Sequence, residues 1–536
     1  MAPGAGFKRR SLVWFPLWLL ICGWVPGVSP LNSPNAVPFP GQEWSASTPE
    51  EQGVDSVRLA SMLDSVESRA LPIHSLLIVR NGVLVLEAHR YPHTAQTLHD
   101  IKSCTKSVFS SLVGIAISSG SLPGIESPVV EFFPERSIAN LSDAKRTITL
   151  AHLLTMSSGL DWPGGMLEQP IASRLIQSPD WIGFVLDRPI YDAPGARFTY
   201  NSGGSHLLSG ILQKSVGMTA EQFAETNLFA PLQIGRWYWS ADPQGISIGG
   251  WGLWLRTQDL AKFGYLYLNR GRWNDSRLVP ETWVSDSCRR QITAGGTWLS
   301  DGYGYQWWID VGGYVMALGY GGQYLILVPD RNLIMVVTSG LRLQDFFAPE
   351  DLLTDFVLPA SESNEPLPPN PSGVGALNER IAAWARPDPS GPVPPLPAMA
   401  WHISDRVYGL APSSVGWRTV SLRFREGQSS ATFTADGVSF GVGLDGVYRA
   451  TAPSPELQVP QDSARMLRGR WRDDSTFVMD FFIVGRPSRY TETFHFQEES
   501  LTLSEDVYVT GERFVTSGQA LGRKSQRSQR QRQRTR

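Results

Sequence analysis

Ser103-Cys104-Thr105-Lys106 opens the apolar run Ser107-Val108-Phe109-Ser110-Ser111-Leu112-Val113-Gly114-Ile115-Ala116-Ile117. The run reads as a buried helix. A serine three residues before a lysine on a helix puts both side chains on one face. A hydroxyl is a weak nucleophile at neutral pH and needs a base beside it. Lysine can be that base when burial draws its pKa from about 10.4 towards roughly 7–8. The apolar flanks of this pair offer that burial. Ser142-Asp143-Ala144-Lys145 repeats the spacing within the polar residues 140–147, where it reads as a solvated loop with a protonated lysine. Context therefore selects Ser103 as candidate nucleophile and Lys106 as candidate base. Cys104 points about 100° away from Ser103 on a helix and reads as a small core residue.

Outward from this helix, residues 76–86 read as two strands joined by Asn81-Gly82, a strong hairpin signal. Residues 323–337 read as a second hairpin turning at Pro329-Asp330-Arg331-Asn332. Strands early and late with helical material between them predict an antiparallel sheet built from both ends of residues 40–360 and covered by helices. Residues 361–400 read as a Pro-rich linker holding a short helix over 376–385. Residues 401–517 carry strand-like runs and no good helix candidate, which predicts a small all-β, barrel-like domain. Residues 518–536 read as a basic, disordered tail. The fold class is thus α/β (α+β) followed by an all-β domain.

Lys8, Arg9 and Arg10 precede an apolar stretch over 12–28 that Pro16 and Pro26 interrupt. This is the layout of a secretory signal over residues 1–30, so the expected location is secreted or periplasmic. Membrane association through an uncleaved N-terminal anchor is the alternative. A net charge of −3 makes no case for nucleic acid as a partner. Three Cys form neither a disulfide framework nor a zinc spacing. The eight His show no metal spacing, and His89 and His93 flank Tyr91-Pro92, so no helix aligns them. No phosphate loop or dinucleotide fingerprint occurs, and neither cofactor nor metal is expected.

A Ser–Lys pair needs a second proton carrier and an oxyanion hole. Tyr200, in a turn before the apolar residues 207–212, suits the first role, with Lys106 keeping it acidic. The backbone N–H of Ser103, at a helix N-terminus, suits the second. A partner N–H should come from a strand edge close to substrate. Ala317-Leu318-Gly319-Tyr320-Gly321-Gly322-Gln323 allows such close approach. Gly437-Val438-Ser439-Phe440-Gly441 matches a nucleophile-elbow pattern, but a turn and strand follow it where a helix is required. His206 follows a Gly-rich turn and reads as a surface or capping residue.

In order, Ser103-x-x-Lys106, residues 153–162 (LLTMSSGLDW), Tyr200-Asn201-Ser202 and Gly319-Tyr320-Gly321-Gly322-Gln323 resemble the serine hydrolases related to class C β-lactamases. That family includes penicillin-binding proteins, D-amino-acid peptidases, certain carboxylesterases and the 6-aminohexanoate-dimer hydrolases. This chain is most similar to the last group. Residues 43–54, 251–256, 259–264, Leu268-Asn269 and Trp283 also match, and the resemblance covers about residues 40–350.

The resemblance implies a β-lactamase/transpeptidase-like sheet with flanking helices and a helical subdomain. It implies acylation of Ser103, with Lys106 as base and Tyr200 paired with Lys106 in proton transfer. Where the family has a lysine-threonine-glycine strand, aligning the Gly-rich segments without a gap places Tyr314-Val315-Met316. Ala317 would then supply the second oxyanion N–H, with Gly319 beside it and Ser202 third in the tyrosine motif. The missing cation removes a group that would recognise a β-lactam carboxylate. The expected activity is cleavage of a small ester, amide or peptide substrate. Two alternatives stay open: a β-lactamase or D-amino-acid peptidase, and a non-catalytic binding protein acting through residues 401–517.

Overall fold

A computed structural model of the chain describes residues 39–295, 300–452 and 458–521. The expected signal segment 1–30 and the tail beyond residue 521 lie outside the described residues.

Two hairpins organise the sheet. Ile73–Arg80 pairs with Val83–His89. Asn81 and Gly82 turn between them at φ of 54° and 77°, as a two-residue hairpin turn requires. Gln323–Val328 pairs with Leu333–Ser339. Ile73–Arg80 then pairs antiparallel with Leu333–Ser339, Leu77 opposite Val336. Opposite ends of the region thereby meet in the middle of one eight-stranded sheet. Beyond Gln323–Val328 its order continues through Val315–Gly319, Trp308–Ile309, Gly302–Tyr303 and Ile292–Thr293.

Side chains alternate between the faces of a strand, and here both faces are covered. Leu77, Val79, Ala317, Leu325 and Val336 join one core with the helices Cys104–Ser118 and Thr257–Leu268. Leu76, Ile78, Met316, Leu318 and Val337 join another with the helices Ser56–Ser68 and Pro371–Trp384. Burial on both sides explains why these strands read as continuous apolar runs. Between the hairpins, a helical lobe forms around Ser202–Val216, with Leu150–Leu154 and Trp181–Leu186 packed on it.

The linker differs from the sequence expectation. A helix spans Pro371–Trp384, starting five residues before the expected 376. Asn370 caps it by accepting from Gly373 N, and Pro371 sits at the first turn, where a missing N–H costs nothing. A Cβ on Gly373 would collide with Ser56 Oγ, so this glycine serves close packing on Ser56–Ser68. Leu377 and Trp384 complete the core on that face. Pro-rich composition hid a capped, packed helix.

The strands from Val407–Leu410 to Arg513–Ala520 form a ten-stranded sheet, closed where Gly443 meets Arg468 in parallel. Phe433, Phe477, Phe494 and Phe496 pack inside it. The short helix Ala398–Ile403 leads in and buries Ala400 and Ile403 there. No helix was expected at that point, since six residues are too few to show a period. The last strand runs to Ala520, past the expected boundary at 517. The barrel touches the sheet domain through the turn at Gly485, whose carbonyl accepts Asp100 N–H at 2.9 Å. A Cβ on Gly485, at φ 86°, would collide with Leu98 O. The contact therefore depends on glycine. No helix among the described residues is long and apolar enough to cross a membrane.

Candidate active site

The chain enters the helix Cys104–Ser118 from the strand His99–Asp100, which pairs with Leu253–Leu255. Lys102 adopts φ 51°, a left-handed conformation that costs a residue with a Cβ of order 1 kcal/mol. Asp100 holds it there, accepting Lys102 N–H at 3.2 Å and Lys102 Nζ at 2.7 Å. The strained turn places Ser103 at the helix N-terminus.

Lys106 is fully buried. Its Nζ lies 2.9 Å from Ser103 Oγ, 2.9 Å from Ser202 Oγ and 2.7 Å from Gly250 O. Ser202 Oγ donates to the Glu168 carboxylate, so towards Lys106 it accepts. The Gly250 carbonyl can only accept. Two N–H bonds are thus committed away from Ser103. In the neutral amine the lone pair then faces the serine hydroxyl. Burial draws the Lys106 pKa down to about 8, while the Glu168 carboxylate acts in the opposite direction.

Tyr200 is buried beside Ser103, and its ring centroid lies 4.7 Å from Lys106 Nζ. Asn201 follows as the cap of Ser202–Val216, its Oδ1 accepting Gly204 N–H at 2.8 Å. That cap fixes the turn from which Tyr200 and Ser202 project. Lys106 was expected to keep the phenol acidic. Burial and the Glu168 carboxylate instead push its pKa up, so the phenol stays neutral.

The strand Val315–Gly319 meets this cluster at Gly319. A Cβ there would lie 2.6 Å from Ile101 O and 3.0 Å from Lys102 Cβ. Glycine is required by this close approach to the turn before Ser103. Ala317, expected to supply an oxyanion N–H, lies on this strand with its backbone groups turned to the neighbouring strand. The Gly319 carbonyl accepts Gly322 N–H at 3.1 Å, so Gly319 directs its backbone groups to the partner strand Gln323–Val328. Backbone groups alternate in direction, and Ala317, two residues back, faces the same partner. Its carbonyl also accepts Cys104 Sγ at 3.3 Å. The N–H of Leu318, between Ala317 and Gly319 on the strand, points the other way. An ungapped count of residues carries no information on this parity.

A family model described as Beta-lactamase matches residues 60–354, more than half of the chain. The chain belongs to the beta-lactamase family. Among its relatives, the 6-aminohexanoate-dimer hydrolase of Paenarthrobacter ureafaciens is 24% identical over 55% of this chain and 80% of its own length. The beta-lactamase of Escherichia coli K12 is 27% identical over 31% of this chain and 41% of its own length. A solved structure, the octameric penicillin-binding protein homologue from Pyrococcus abyssi, shares 18% identity at a TM-score of 0.46, covering 85% of this chain and 99% of that one. The resemblance read from the motifs is thereby borne out, as is the β-lactamase/transpeptidase-like fold with its C-terminal barrel.

In this beta-lactamase family member, Glu168 is the residue that sequence reasoning missed. It is buried and accepts from Trp162 Nε1 and Ser202 N, each at 2.6 Å, besides Ser202 Oγ. It lies in an irregular stretch without periodicity, far along the chain from Ser103. Its one legible neighbour is Trp162, at the end of the 153–162 motif. Gln306 was also missed. Its Oε1 accepts from Ser205 Oγ at 2.8 Å, and its Nε2 donates to Leu153 O and Leu154 O at 3.1 and 2.9 Å. Its carbonyl accepts from Ser107 Oγ at 2.6 Å. It therefore joins three of the motif segments.

Other candidates separate cleanly. Ser142 and Lys145 are not a solvated loop. Lys145 is buried, and its Nζ donates to Ala139 O and Leu186 O at 2.7 and 2.8 Å. Ser142 caps the turn Asp143–Arg146, so the two side chains do not form a pair. His206 is neither surface nor cap. It is fully buried, with Nε2 3.0 Å from Asp242 Oδ2. Ser439 lies exposed on the barrel strand Val438–Gly443 and has no elbow around it.

Proposed function

We propose that this family member is a serine hydrolase that cleaves a small ester or amide through an acyl-enzyme on Ser103. The observation that carries this reading is the buried Lys106 Nζ at 2.9 Å from Ser103 Oγ, its other contacts being the acceptors Ser202 Oγ and Gly250 O. Neutral Lys106 takes the hydroxyl proton as Oγ attacks the substrate carbonyl carbon. The oxyanion is received by the N–H of Ser103 and that of Tyr320, the residue next to Gly319. Tyr200, beside Ser103, relays the proton from Lys106 to the departing alkoxide or amine. A water then enters, gives its proton back along the same relay, and releases the acid and free Ser103.

The strand Val315–Gly319 (Val-Met-Ala-Leu-Gly) has no cationic side chain to meet a β-lactam carboxylate. This favours esters and amides over penicillin-type substrates. A fluorophosphonate probe should label wild type on the peptide containing Ser103. Labelling undiminished in Ser103→Ala would overturn the assignment. In a crystal of the adduct, the phosphoryl oxygen should sit between Ser103 N and Tyr320 N. Contact with Ala317 N instead would reject the Tyr320 assignment. We further propose export, from the basic and apolar residues 8–28 alone. Recovery of the protein only inside the producing cell would reject that.

A further inference from the structure

Three histidines lie together on the sheet domain, away from Ser103. His74 is on the strand Ile73–Arg80, His93 is on the loop after Val83–His89, and His99 is on the strand leading to Ser103. Each offers a ring nitrogen within 4.8 Å of the others. His74 stacks on His93 with ring centroids 4.2 Å apart, and His93 lies 5.3 Å from His99. His93 and His99 are buried, whereas His74 is half-buried.

Hydrogen bonds assign the tautomers. His93 Nδ1 faces Arg90 O at 3.1 Å, so it carries the proton and Nε2 carries a bare lone pair. The second histidine is set by a longer chain. Gln258 Nε2 donates to both oxygens of the Glu87 carboxylate, which accepts His89 Nε2–H at 2.9 Å. His89 Nδ1 therefore accepts from Ser75 Oγ at 2.9 Å. Ser75 Oγ in turn accepts His99 Nε2–H at 3.3 Å, which leaves His99 Nδ1 as a lone pair. His93 Nε2 and His99 Nδ1 have no hydrogen-bond partner among the described residues. Two buried acceptors with nothing to accept are costly. Each imidazole has its other nitrogen fixed, one by a backbone carbonyl and one by a relay ending on a carboxylate. That arrangement orients a metal-bound histidine.

We propose that His74, His93 and His99 bind one divalent transition-metal ion of the zinc class. The donor set is three neutral imidazoles, which suits borderline ions such as Zn²⁺, Co²⁺ or Ni²⁺ and not Ca²⁺ or Mg²⁺. Around a tetrahedral ion with metal–nitrogen bonds of about 2.1 Å, the nitrogens would stand about 3.4 Å apart. The nitrogens lie within 4.8 Å of one another, and His74 and His93 stack at 13°, so both reach one ion only when the half-buried His74 turns out of the stack. His74 and His93 also line a cavity of about 690 Å³ with Trp384, Phe482, Arg489 and Tyr508. This cavity gives the ion an entry path and room for a fourth, exogenous ligand. The positive charges of Arg90 and Arg489 act on His74 and His93. They make that fourth ligand an anion, which offsets the repulsion of the cation. Glu67 pairs with Arg90 and tempers one of the two.

The test uses the full-length, untagged protein, stripped with a chelator and titrated with Zn²⁺ by calorimetry and with Co²⁺ by visible absorption. One equivalent of Zn²⁺ should bind with micromolar or tighter affinity. Co²⁺ should develop the intense visible bands of a four-coordinate ion. His74→Ala, at the half-buried edge, should keep the wild-type fold by circular dichroism and weaken binding at least tenfold. Absence of binding to the wild type at millimolar metal would overturn the proposal. Unchanged affinity in folded His74→Ala and His93→Ala would do so as well.

Discussion

Glu168 and Lys106 act on each other through a single hydroxyl: Ser202 Oγ donates to Glu168 and accepts from Lys106 Nζ at 2.9 Å. The carboxylate thus sets the direction of the Ser202 bond and, through it, where the amine lone pair points. It also holds the lysine pKa up against burial.

Glu168→Gln removes that charge. The folded-state Lys106 pKa, about 8 in the wild type, should fall by about one unit. The neutral amine is then present at lower pH. The acid limb of kcat/KM should move towards acid. The maximum should fall, because the introduced carboxamide can donate to Ser202 and reverse its bond. A pH–rate profile reads both effects.

Lys106→Arg keeps a cation but cannot give it up near neutrality. The rate should fall by at least about 10²-fold, and raising the pH to 10 should not restore it. If the Lys106→Arg variant supported wild-type turnover, the lysine would be acting only as a fixed charge.

Gly319→Ala places a methyl 2.6 Å from Ile101 O and must push the strand from the turn before Ser103. A shift of that size beside Tyr320, the proposed oxyanion donor, should cost roughly 10²-fold in kcat, with a smaller change in KM. Steady-state kinetics separate the two.

Gln306→Leu keeps volume and removes the bonds to Ser205 Oγ, Leu153 O and Leu154 O. Stranding these buried groups should destabilise the sheet domain by about 2–4 kcal/mol. Urea unfolding measures it.

Local chemistry was legible in the sequence, and distant juxtaposition was not. Asn81-Gly82 and the apolar runs at both ends announced the central sheet. The helix behind Ser103 announced the close pairing of Ser103 with Lys106. Ala317 was reached by counting along a strand, and a count does not say which edge an N–H faces. Glu168 and the three histidines are brought in from separate elements with no common spacing. Lys145 lies in a polar stretch, yet its ammonium is carried inside by two carbonyls that only the fold supplies.

The central claim is that a neutral Lys106, and no other group, takes the proton from Ser103. The pH dependence of the rate at which a fluorophosphonate labels Ser103 tests it most directly. The rate should rise with pH through a single inflection at about 8, the Lys106 value. A rate independent of pH between about 6 and 10, or an inflection at the ordinary lysine value of about 10.4, would contradict it.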